Sequence, residues 1–430
     1  MDSRIIQRNL TRQKRKTQTC KVFEIKIDKS SLSKSSANHL YRLFLESKWF
    51  YNHCLSQPEI FKIDTKVKNV PVKVKDVFET RELTVLSSQM KQAVATRLKD
   101  SVVALSRLKK QGRKTGRLKF KSQLNSVPLK QYQNTYDVDF KNNRIKLQGL
   151  KPLLKVRGLE QISQNSEIAN AVLLRKADGY YFKITVYVDK VEKDIPEQVI
   201  GIDFGCQTQL TFSNGVKVEF QVPVNETIRR LDRRIDKKVS GKIGKHRGSK
   251  NREKLKEERR RAYLKDANKR KDIRNKVVSV ITNKGKYVCF QDESISAWKA
   301  GGHGTKIQFS GIGGIIADLK HKSHTPLEVN KYFPSTQLCP QCGTKNKIKI
   351  EERIYICPNC GYKEDRDVKS AVCIEVEGLK QIPTDHRIKS WERISSAELF
   401  NLLSNIDGLV VSKTTSLSKE APPFRAGVDH

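Results

Sequence analysis

The chain has 430 residues, of which 85 are Lys or Arg and 46 are Asp or Glu, giving a formal net charge of +39. A basic excess this large indicates a polyanionic partner, and a chain this long can bury two or three cores. No apolar run approaches the ~20 residues of a spanning helix, and no signal-peptide pattern is present. We therefore expect a soluble, cytoplasmic nucleic-acid binder rather than a membrane protein.

The first part of the chain predicts a strand followed by two helices. Residues 1–18 are basic and weakly patterned, and we expect a flexible start there. Residues 20–28 alternate apolar and polar side chains, as a half-buried strand does. Helical spacing follows over about 30–50 and 84–110, with a connector between them. The apolar positions predict a core: Leu40, Leu43, Phe44, Trp49 and Phe50, then Leu83, Val85, Met90, Val94, Leu98, Val102 and Leu105.

From Gly116 the period changes to two, with turn pairs at Asn142-Asn143 and Asp178-Gly179. This pattern predicts antiparallel strands, and hence a β-domain that is interrupted by the preceding helices. Its many basic side chains, Lys119 and Lys121 among them, are either an ordinary solvated face or a nucleic-acid surface, and we favour the second.

A polar linker at 191–197 precedes a predicted hairpin with its turn at Asn214-Gly215. Asp203 lies mid-strand in the sequence GIDFG, where a carboxylate is costly unless it binds something. Taken alone, GIDFG is weak evidence of catalysis.

Two very basic helices are predicted within 226–284. Opposite charges four residues apart would support a solvated hairpin, but the basic excess favours phosphate contact. The candidate contacts are Lys256, Arg259, Arg260 and Arg261. A short apolar strand then ends in Gln291-Asp292-Glu293, and a glycine-rich turn, a helix and a strand at 327–333 follow.

Two CPxC knuckles separated by fourteen residues form the strongest motif: Cys339, Cys342, Cys357 and Cys360. Each knuckle is followed by a glycine, and the spacing predicts a zinc ribbon with one tetrahedral Zn²⁺ rather than four free thiols. The other five cysteines are scattered, which indicates a reducing compartment. Asp365, Arg366 and Asp367 then open a predicted helix, and residues 378–430 read as a mostly disordered tail with a short helix at SSAELFNLL.

A strand with a central Asp, a hairpin, helices, a strand ending in Asp-Glu and a helix opening with Asp follow the order of an RNase H-like fold. Such folds gather carboxylates around two divalent ions for phosphodiester hydrolysis. Carboxylates suit Mg²⁺, and the eight histidines show no ligand spacing.

The chain resembles the TnpB family of insertion-sequence RNA-guided nucleases and, in the same way, the compact type V CRISPR effectors. The matching stretches are IGIDFG, CFQDESISAW and FPSTQLCPQCG…CPNCGYKEDRDVKSA, with weaker matches at SSQMKQAVATRL, GRLKFKS and RKDIRNK. The resemblance spans residues 20–376 and implies a catalytic trio of Asp203, Glu293 and Asp367 that holds Mg²⁺. By motif position Glu293 is preferred to Asp292, and Asp367 to Asp365.

One residue departs from the family pattern R-D-x-N-A, since Lys369 stands where that pattern has Asn. An ammonium this close to the trio is expected to weaken binding of the metal ions.

The fold class that the resemblance implies is α+β and multidomain. It comprises a β-barrel-like wedge domain (1–31 and 117–193), a helical recognition lobe (32–116) and an RNase H-like, RuvC-like nuclease domain (194–335 and 363–377), with the basic hairpin 226–284, an inserted zinc ribbon (336–362) and the tail 378–430.

The implied function is a transposon-associated, Mg²⁺-dependent RNA-guided DNA endonuclease. Its partners would be a guide RNA and a DNA target, double-stranded and single-stranded, and a monomer is favoured. Two alternatives stay open. One is a catalytically silent RNA-guided repressor on the same fold, and the other is a zinc-ribbon DNA-binding protein without a guide.

Overall fold

The computed structural model describes residues 3–74, 76–191, 194–221, 225–237, 249–304, 307, 310–349, 351–382 and 392–414. The chain divides into two compact units, Met1–Glu192 and Lys193–His430. Among the described helices, none combines the length and the apolar character needed to cross a membrane.

The first unit contains three helices and nine strands among its described residues. The helices are α1 Ser3–Lys16, α2 Lys34–Ser56 and α3 Ser88–Lys110. The strands are β1 Gln18–Ile27, β2 Asn69–Val74, β3 Val77–Glu82, β4 Ser126–Leu129, β5 Tyr136–Asp139, β6 Arg144–Leu147, β7 Leu154–Arg157, β8 Glu167–Lys176 and β9 Gly179–Asp189. Seven of them form one antiparallel sheet in the order β4-β8-β9-β1-β7-β6-β5, and β2 and β3 form a separate hairpin. Strand β1 therefore pairs with strands that follow it by more than a hundred residues.

Helices α2 and α3 supply the apolar layer that covers this sheet. Of the apolar positions predicted from helical spacing, Leu40, Phe50 and Met90 are fully buried in the same core as Phe182 of β9. The end of α3 leaves the core, since Val102 and Leu105 are only half-buried.

One expectation about the first unit is wrong, and another lacked a detail. Residues Ser3–Lys16 are helical rather than a flexible start, and Arg15 forms an ion pair with Glu167 on β8. The connector between the two helical tracts contains the hairpin β2–β3. Strand β3 is exposed along its whole length and therefore lacks the alternation that would have marked it.

The second unit contains six helices and nine strands among its described residues. The helices are α4 Glu226–Lys237, α5 Lys250–Lys284, α6 Ile295–Trp298, α7 Ile312–Lys322, α8 Arg366–Leu379 and α9 Ser396–Ser404. The strands are β10 Gln198–Phe204, β11 Leu210–Phe212, β12 Val216–Phe220, β13 Tyr287–Gln291, β14 Thr325–Val329, β15 Ile354–Ile356, β16 Lys363–Asp365, β17 Glu392–Arg393 and β18 Leu409–Lys413.

Strand β10 is the centre of a mixed sheet ordered β14-β13-β10-β11-β12-β18. Strand β13 runs parallel to β10 and β14 parallel to β13, whereas β11 and β12 continue the sheet antiparallel on the other side. Ile200 and Ile202 of β10 face a core that contains residues of α5, α7 and α9. Val199 faces the opposite side, where it packs with Ile374 of α8. The sheet is thus covered on both faces, and α8 covers the face that bears the odd-numbered residues of β10.

The prediction of a mostly disordered tail at 378–430 is wrong for residues 392–414. Helix α9 buries Leu399 and Leu403 in the core beneath β10, which confirms the short helix predicted at SSAELFNLL. Strand β18 pairs with β12 over five residues, and β17 pairs with the start of β10. The polar residues that flank these elements give the segment an overall composition typical of disorder, which is why the sequence did not predict the strands. Residues 383–391 and 415–430 lie outside the described part of the chain.

Candidate functional site

Asp203 lies near the end of β10 on the face that α8 covers, because side chains alternate along a strand. Gly201, two residues earlier on the same face, lets α8 approach the sheet closely. A Cβ at this position would stand 2.6 Å from the carbonyl oxygen of Ala371 in α8. Gly201, the first glycine of GIDFG, therefore allows the short distance between β10 and the helix that carries Asp367.

Asp367 lies in the first turn of α8, and Asp365 is the N-cap of that helix. The Asp365 carboxylate accepts hydrogen bonds from the backbone N–H groups of Asp367 (3.0 Å) and Val368 (3.1 Å). It also pairs with Lys217 of β12 at 2.8 Å. The Asp365 carboxylate is thus used by the helix cap and by the ion pair with Lys217. Asp367 is the acid of this turn whose charge acts on Asp203.

Glu293 follows the end of β13, the strand that runs parallel to β10. Its neighbour Asp292 is 53% exposed and pairs with Lys320 of α7 at 2.8 Å. Lys320 also binds Glu328 of β14, so Asp292 belongs to a surface ion-pair network. Glu293 is half-buried and adds to the charge that acts on Asp203. The structure therefore separates the two adjacent acids, with Glu293 on the side of the site.

Burial and nearby negative charge raise the pKa values of Asp203 and Glu293. Burial first, and then the negative charges of Asp367 and Glu293, raise the pKa of Asp203 to about 8. Burial, together with the charge of Asp292, raises the pKa of Glu293 to about 7. The positive charge of Lys369 opposes the increase at Asp203 only in part. Asp203 therefore lies within electrostatic reach of Asp367 and Glu293, although the three acids are separated by 90 and 74 residues in the chain; these three residues are called the acidic cluster below.

The Asp367 carboxylate is close to two guanidinium groups. Arg366 lies 3.3 Å from one oxygen, and Arg353 lies 3.5 Å from the other. Within the described part of the chain, the four cysteines are the only group of three or more acidic, cysteine or histidine side chains that is close enough to hold one ion. The acidic cluster is therefore more open than the thiol cluster. Its carboxylate oxygens are nevertheless the ligand type that Mg²⁺ prefers.

The four cysteines form a candidate zinc site, with sulfur atoms that all lie within 4.8 Å of one another. The Cys339–Cys360 and Cys342–Cys357 sulfur distances are 3.6 and 3.5 Å. A tetrahedral Zn²⁺ with bonds of about 2.3 Å requires sulfur atoms about 3.8 Å apart, so the donor set fits the ion.

The two knuckles have the same backbone geometry. Gly343 donates to the carbonyl of Cys339, and Gly361 donates to that of Cys357, each at 3.0 Å. Both glycines have a left-handed φ, +72° and +73°, which side chains other than glycine adopt at a cost. The glycine after each CPxC therefore closes the turn that aims two sulfurs at one point.

The basic residues predicted to contact nucleic acid are placed unevenly. Lys119, Lys121 and Arg260 are exposed or nearly so along the chain's surface. Arg259 pairs with Asp232 of α4 at 2.8 Å and so joins α4 to α5. The other two have acidic neighbours on α5, with Lys256 2.6 Å from Glu253 and Arg261 4.0 Å from Glu257.

A basic face of α4 was missed by the sequence-based choice of contacts. Arg230, Arg233, Arg234 and Lys237 line one concave surface. Their spacing of three, four and seven residues places them on one side of the helix, and it could have been read from the sequence. Lys217, Arg353, Gln291 and Ser335, which contact the elements of the site, carry no comparable local signal.

Comparisons with known proteins find one family model, a related protein and a solved structure that are similar to parts of this chain. Residues 317–374 match the family model described as Cas12f1-like, TNB domain. A Streptomyces pristinaespiralis protein named "Putative RNA-guided DNA endonuclease" is 24% identical over 247 residues, which cover 56% of this chain and 60% of that relative. The solved structure titled Cas12f1-sgRNA-target DNA complex is 12% identical, covers 84% of this chain and 99% of its own, and superposes with a TM-score of 0.45. The segment matched by the family model contains the four cysteines and Asp367.

Proposed function

We propose that this chain, whose resemblance to TnpB-like compact type V effectors is confirmed by the family match and the relative, is an RNA-guided DNA endonuclease. The observation that carries the proposal is the meeting of Asp203, Glu293 and Asp367 in one acidic cluster. The neighbouring acids help to raise the pKa of Asp203 to about 8, so the ionised cluster is unfavourable in the ion-free protein. Bound cations would relieve this repulsion, which makes the cluster a candidate functional site.

The sheet of the second unit supports a RuvC-like assignment. Its central strand carries Asp203, an antiparallel hairpin (β11–β12) lies on one side, and two parallel strands (β13–β14) lie on the other. Parallel β10 and β13 end at the same edge, which brings the residues after them together. This arrangement is the one expected of an RNase H-like nuclease.

Asp203, Glu293 and Asp367 would hold two Mg²⁺ ions. When bound, these ions would supply Lewis-acid stabilisation and nucleophile activation for phosphodiester hydrolysis. Burial and the neighbouring acids raise the pKa of Asp203 to about 8, and its carboxylate would be deprotonated when it holds an ion. Asp367 would be a further ligand, and the guanidinium groups of Arg353 and Arg366 beside it would hold positive charge near a bound phosphate.

The cysteine cluster is proposed as a structural zinc site. All four ligands are protein thiols, which leaves no open position for a reactant. Strand β16 leads from the last knuckle directly into the Asp365 cap of α8, so zinc would fix the start of the helix that bears Asp367.

The proposed partners are a guide RNA and a DNA target in duplex and displaced single-stranded form. The relative's assignment names RNA guidance and DNA cleavage, and the chain's net charge of +39 favours a large phosphate surface. Base pairing with the guide would select the target, whereas the protein would hold the backbone. A transposon origin of the guide is part of this proposal.

Purification from the native host, followed by sequencing of bound RNA and cleavage of matched DNA, tests the function. We expect one discrete RNA species and Mg²⁺-dependent cleavage of a DNA that matches it. Guided binding without cleavage would favour the silent RNA-guided repressor. The absence of any discrete RNA would contradict guidance and favour a zinc-ribbon DNA-binding protein.

A further inference from the structure

We propose that Lys369 is a positioning residue whose buried ammonium holds the zinc ribbon against the two elements that carry Glu293 and Asp367. The inference rests on the proposed nuclease function for its catalytic consequence. It does not rest on that function for its structural part, which concerns how the ribbon is held.

The Lys369 side chain is fully buried, which is unusual for a lysine. Its Nζ donates to the backbone carbonyl of Ser335 at 2.9 Å and lies 4.3 Å from the centroid of the Tyr355 ring. A buried ammonium is costly unless groups like these compensate for lost hydration. Tyr355 lies in β15 within the ribbon, and Ser335 is the residue directly before the ribbon begins.

Ser335 also contacts β13, the strand that precedes Glu293. Its hydroxyl lies 3.3 Å from Oε1 of Gln291, the last residue of β13. The Gln291 amide also donates to the carbonyls of Asn330 (3.1 Å) and Phe333 (2.9 Å), which hold the segment leading into the ribbon. Gln291 is two residues before Glu293, and Lys369 is two residues after Asp367. The contacts from Lys369 to Ser335 and from Ser335 to Gln291 therefore connect α8, which carries Asp367, to the end of β13, which precedes Glu293.

Lys369 also lies near the zinc ligands, because Cys339 and Tyr355 share one buried cluster. Four thiolates around Zn²⁺ carry a net charge of −2, and a buried cation beside them offsets part of it. The ammonium would thus stabilise the metal-loaded ribbon. Its recorded hydrogen bond is to Ser335, and its charge also acts on Asp203.

This arrangement reverses the effect that the sequence led us to expect from Lys369. If the ammonium mainly repelled the catalytic ions, its removal would lower the Mg²⁺ concentration that cleavage requires. If it positions Asp367 and Glu293, its removal loosens the site and raises that concentration. The two effects have opposite signs in one titration.

The experiment uses full-length protein with its co-purified RNA and compares Lys369→Met with the wild type. Methionine keeps an apolar stem but removes the charge and the donor. We expect zinc transfer to a chromogenic chelator to be at least five-fold faster, the maximal cleavage rate to fall at least ten-fold, and the half-saturating Mg²⁺ concentration to rise several-fold. Guide and target binding should change by less than two-fold. Lys347→Met, a change at an exposed ribbon lysine, is the matched control and should leave all five values unchanged.

Ser335→Ala tests the contact with Gln291 separately from the contact with Lys369, and it is the variant to measure if Lys369→Met does not fold. It removes the hydroxyl that reaches Gln291 but keeps the carbonyl that binds Lys369. We therefore expect a raised Mg²⁺ requirement with unchanged zinc transfer. A lower Mg²⁺ requirement in Lys369→Met, or values equal to the wild type in both variants, would overturn the inference. If wild-type protein does not cleave at all, the nuclease proposal fails, and zinc transfer from Lys369→Met still decides whether Lys369 holds the ribbon.

Discussion

Replacing Asp203 by Asn should stabilise the magnesium-free protein while it abolishes cleavage. The pKa of this carboxyl is 3.8 in the unfolded chain and is raised to about 8 by folding. Between these values the unfolded chain releases a proton that the folded protein keeps, so stability falls as the pH rises from about 4 to about 8. The amide of Asn cannot ionise and avoids this loss.

The magnitude follows from the difference between the two pKa values. At about 1.4 kcal/mol for each tenfold change in proton affinity, the penalty at pH 7.5 is at most about 5 kcal/mol. Water penetration and relaxation of the open acidic cluster reduce this to about 2 kcal/mol. For a unit of this size, such a gain raises the melting temperature by about 4–8 °C.

Thermal unfolding at pH 7.5 and pH 5 measures this effect, in magnesium-free buffer without chelator so that zinc is retained. We expect Asp203→Asn to melt higher than the wild type at pH 7.5, with a gap that shrinks by more than half at pH 5. Asp272→Asn is the control, because that exposed acid pairs with Lys276 on α5, does not act on Asp203 or Glu293, and should gain nothing. An Asp203→Asn variant that melts at or below the wild-type temperature at pH 7.5 would refute the reasoning.

Three further predictions concern the zinc site, the sheet and the basic surface. Cys357→Ser should lose zinc and cleavage together, as read by elemental analysis and a cleavage assay, and wild-type protein without stoichiometric zinc would contradict the site. Gly201→Ala should destabilise the second unit by about 3 kcal/mol in urea unfolding, because the added Cβ would lie 2.6 Å from a carbonyl of α8. Gly301→Ala meets no atom within 4 Å and should be nearly neutral, so equal effects of the two changes would count against the packing argument. Arg230→Glu with Arg233→Glu should flatten the dependence of log affinity on log salt by about 0.9 for each duplex phosphate that the protein then leaves unneutralised, and an unchanged slope would show that α4 does not bind the nucleic-acid backbone.

Local patterns predicted the parts of the molecule that local chemistry determines. The CPxC spacing placed four thiols around one point, since each knuckle is a self-contained turn with its own glycine. Alternation in residues 20–28 predicted a strand, and β1 is found at Gln18–Ile27. The helix that opens at the acids after the ribbon is also present, with Asp365 as its cap.

Long-range contacts decided what the sequence could not predict. The resemblance to the TnpB family implied that Asp203 and Asp367 belong to one site, but local spacing did not show how closely α8 approaches β10, which depends on the missing side chain of Gly201. The partners of Lys369 lie 34 residues away at Ser335 and 14 away at Tyr355, so its local context suggested only a charge beside the acids. Strand β18 was missed for the same reason, since its partner β12 lies almost two hundred residues earlier.

The measurement that most directly tests the account is cleavage of guide-matched DNA by Asp203→Ala and Asp292→Ala, with guide and target binding measured on the same samples. Both acids lie in stretches that resemble the family's motifs, but only Asp203 lies in the acidic cluster, whereas Asp292 pairs with Lys320. The account predicts that Asp203→Ala binds guide RNA and target DNA as the wild type does and cuts nothing with Mg²⁺, while Asp292→Ala retains cleavage. Cleavage by Asp203→Ala at the wild-type rate would contradict the assignment of this cluster as the active site.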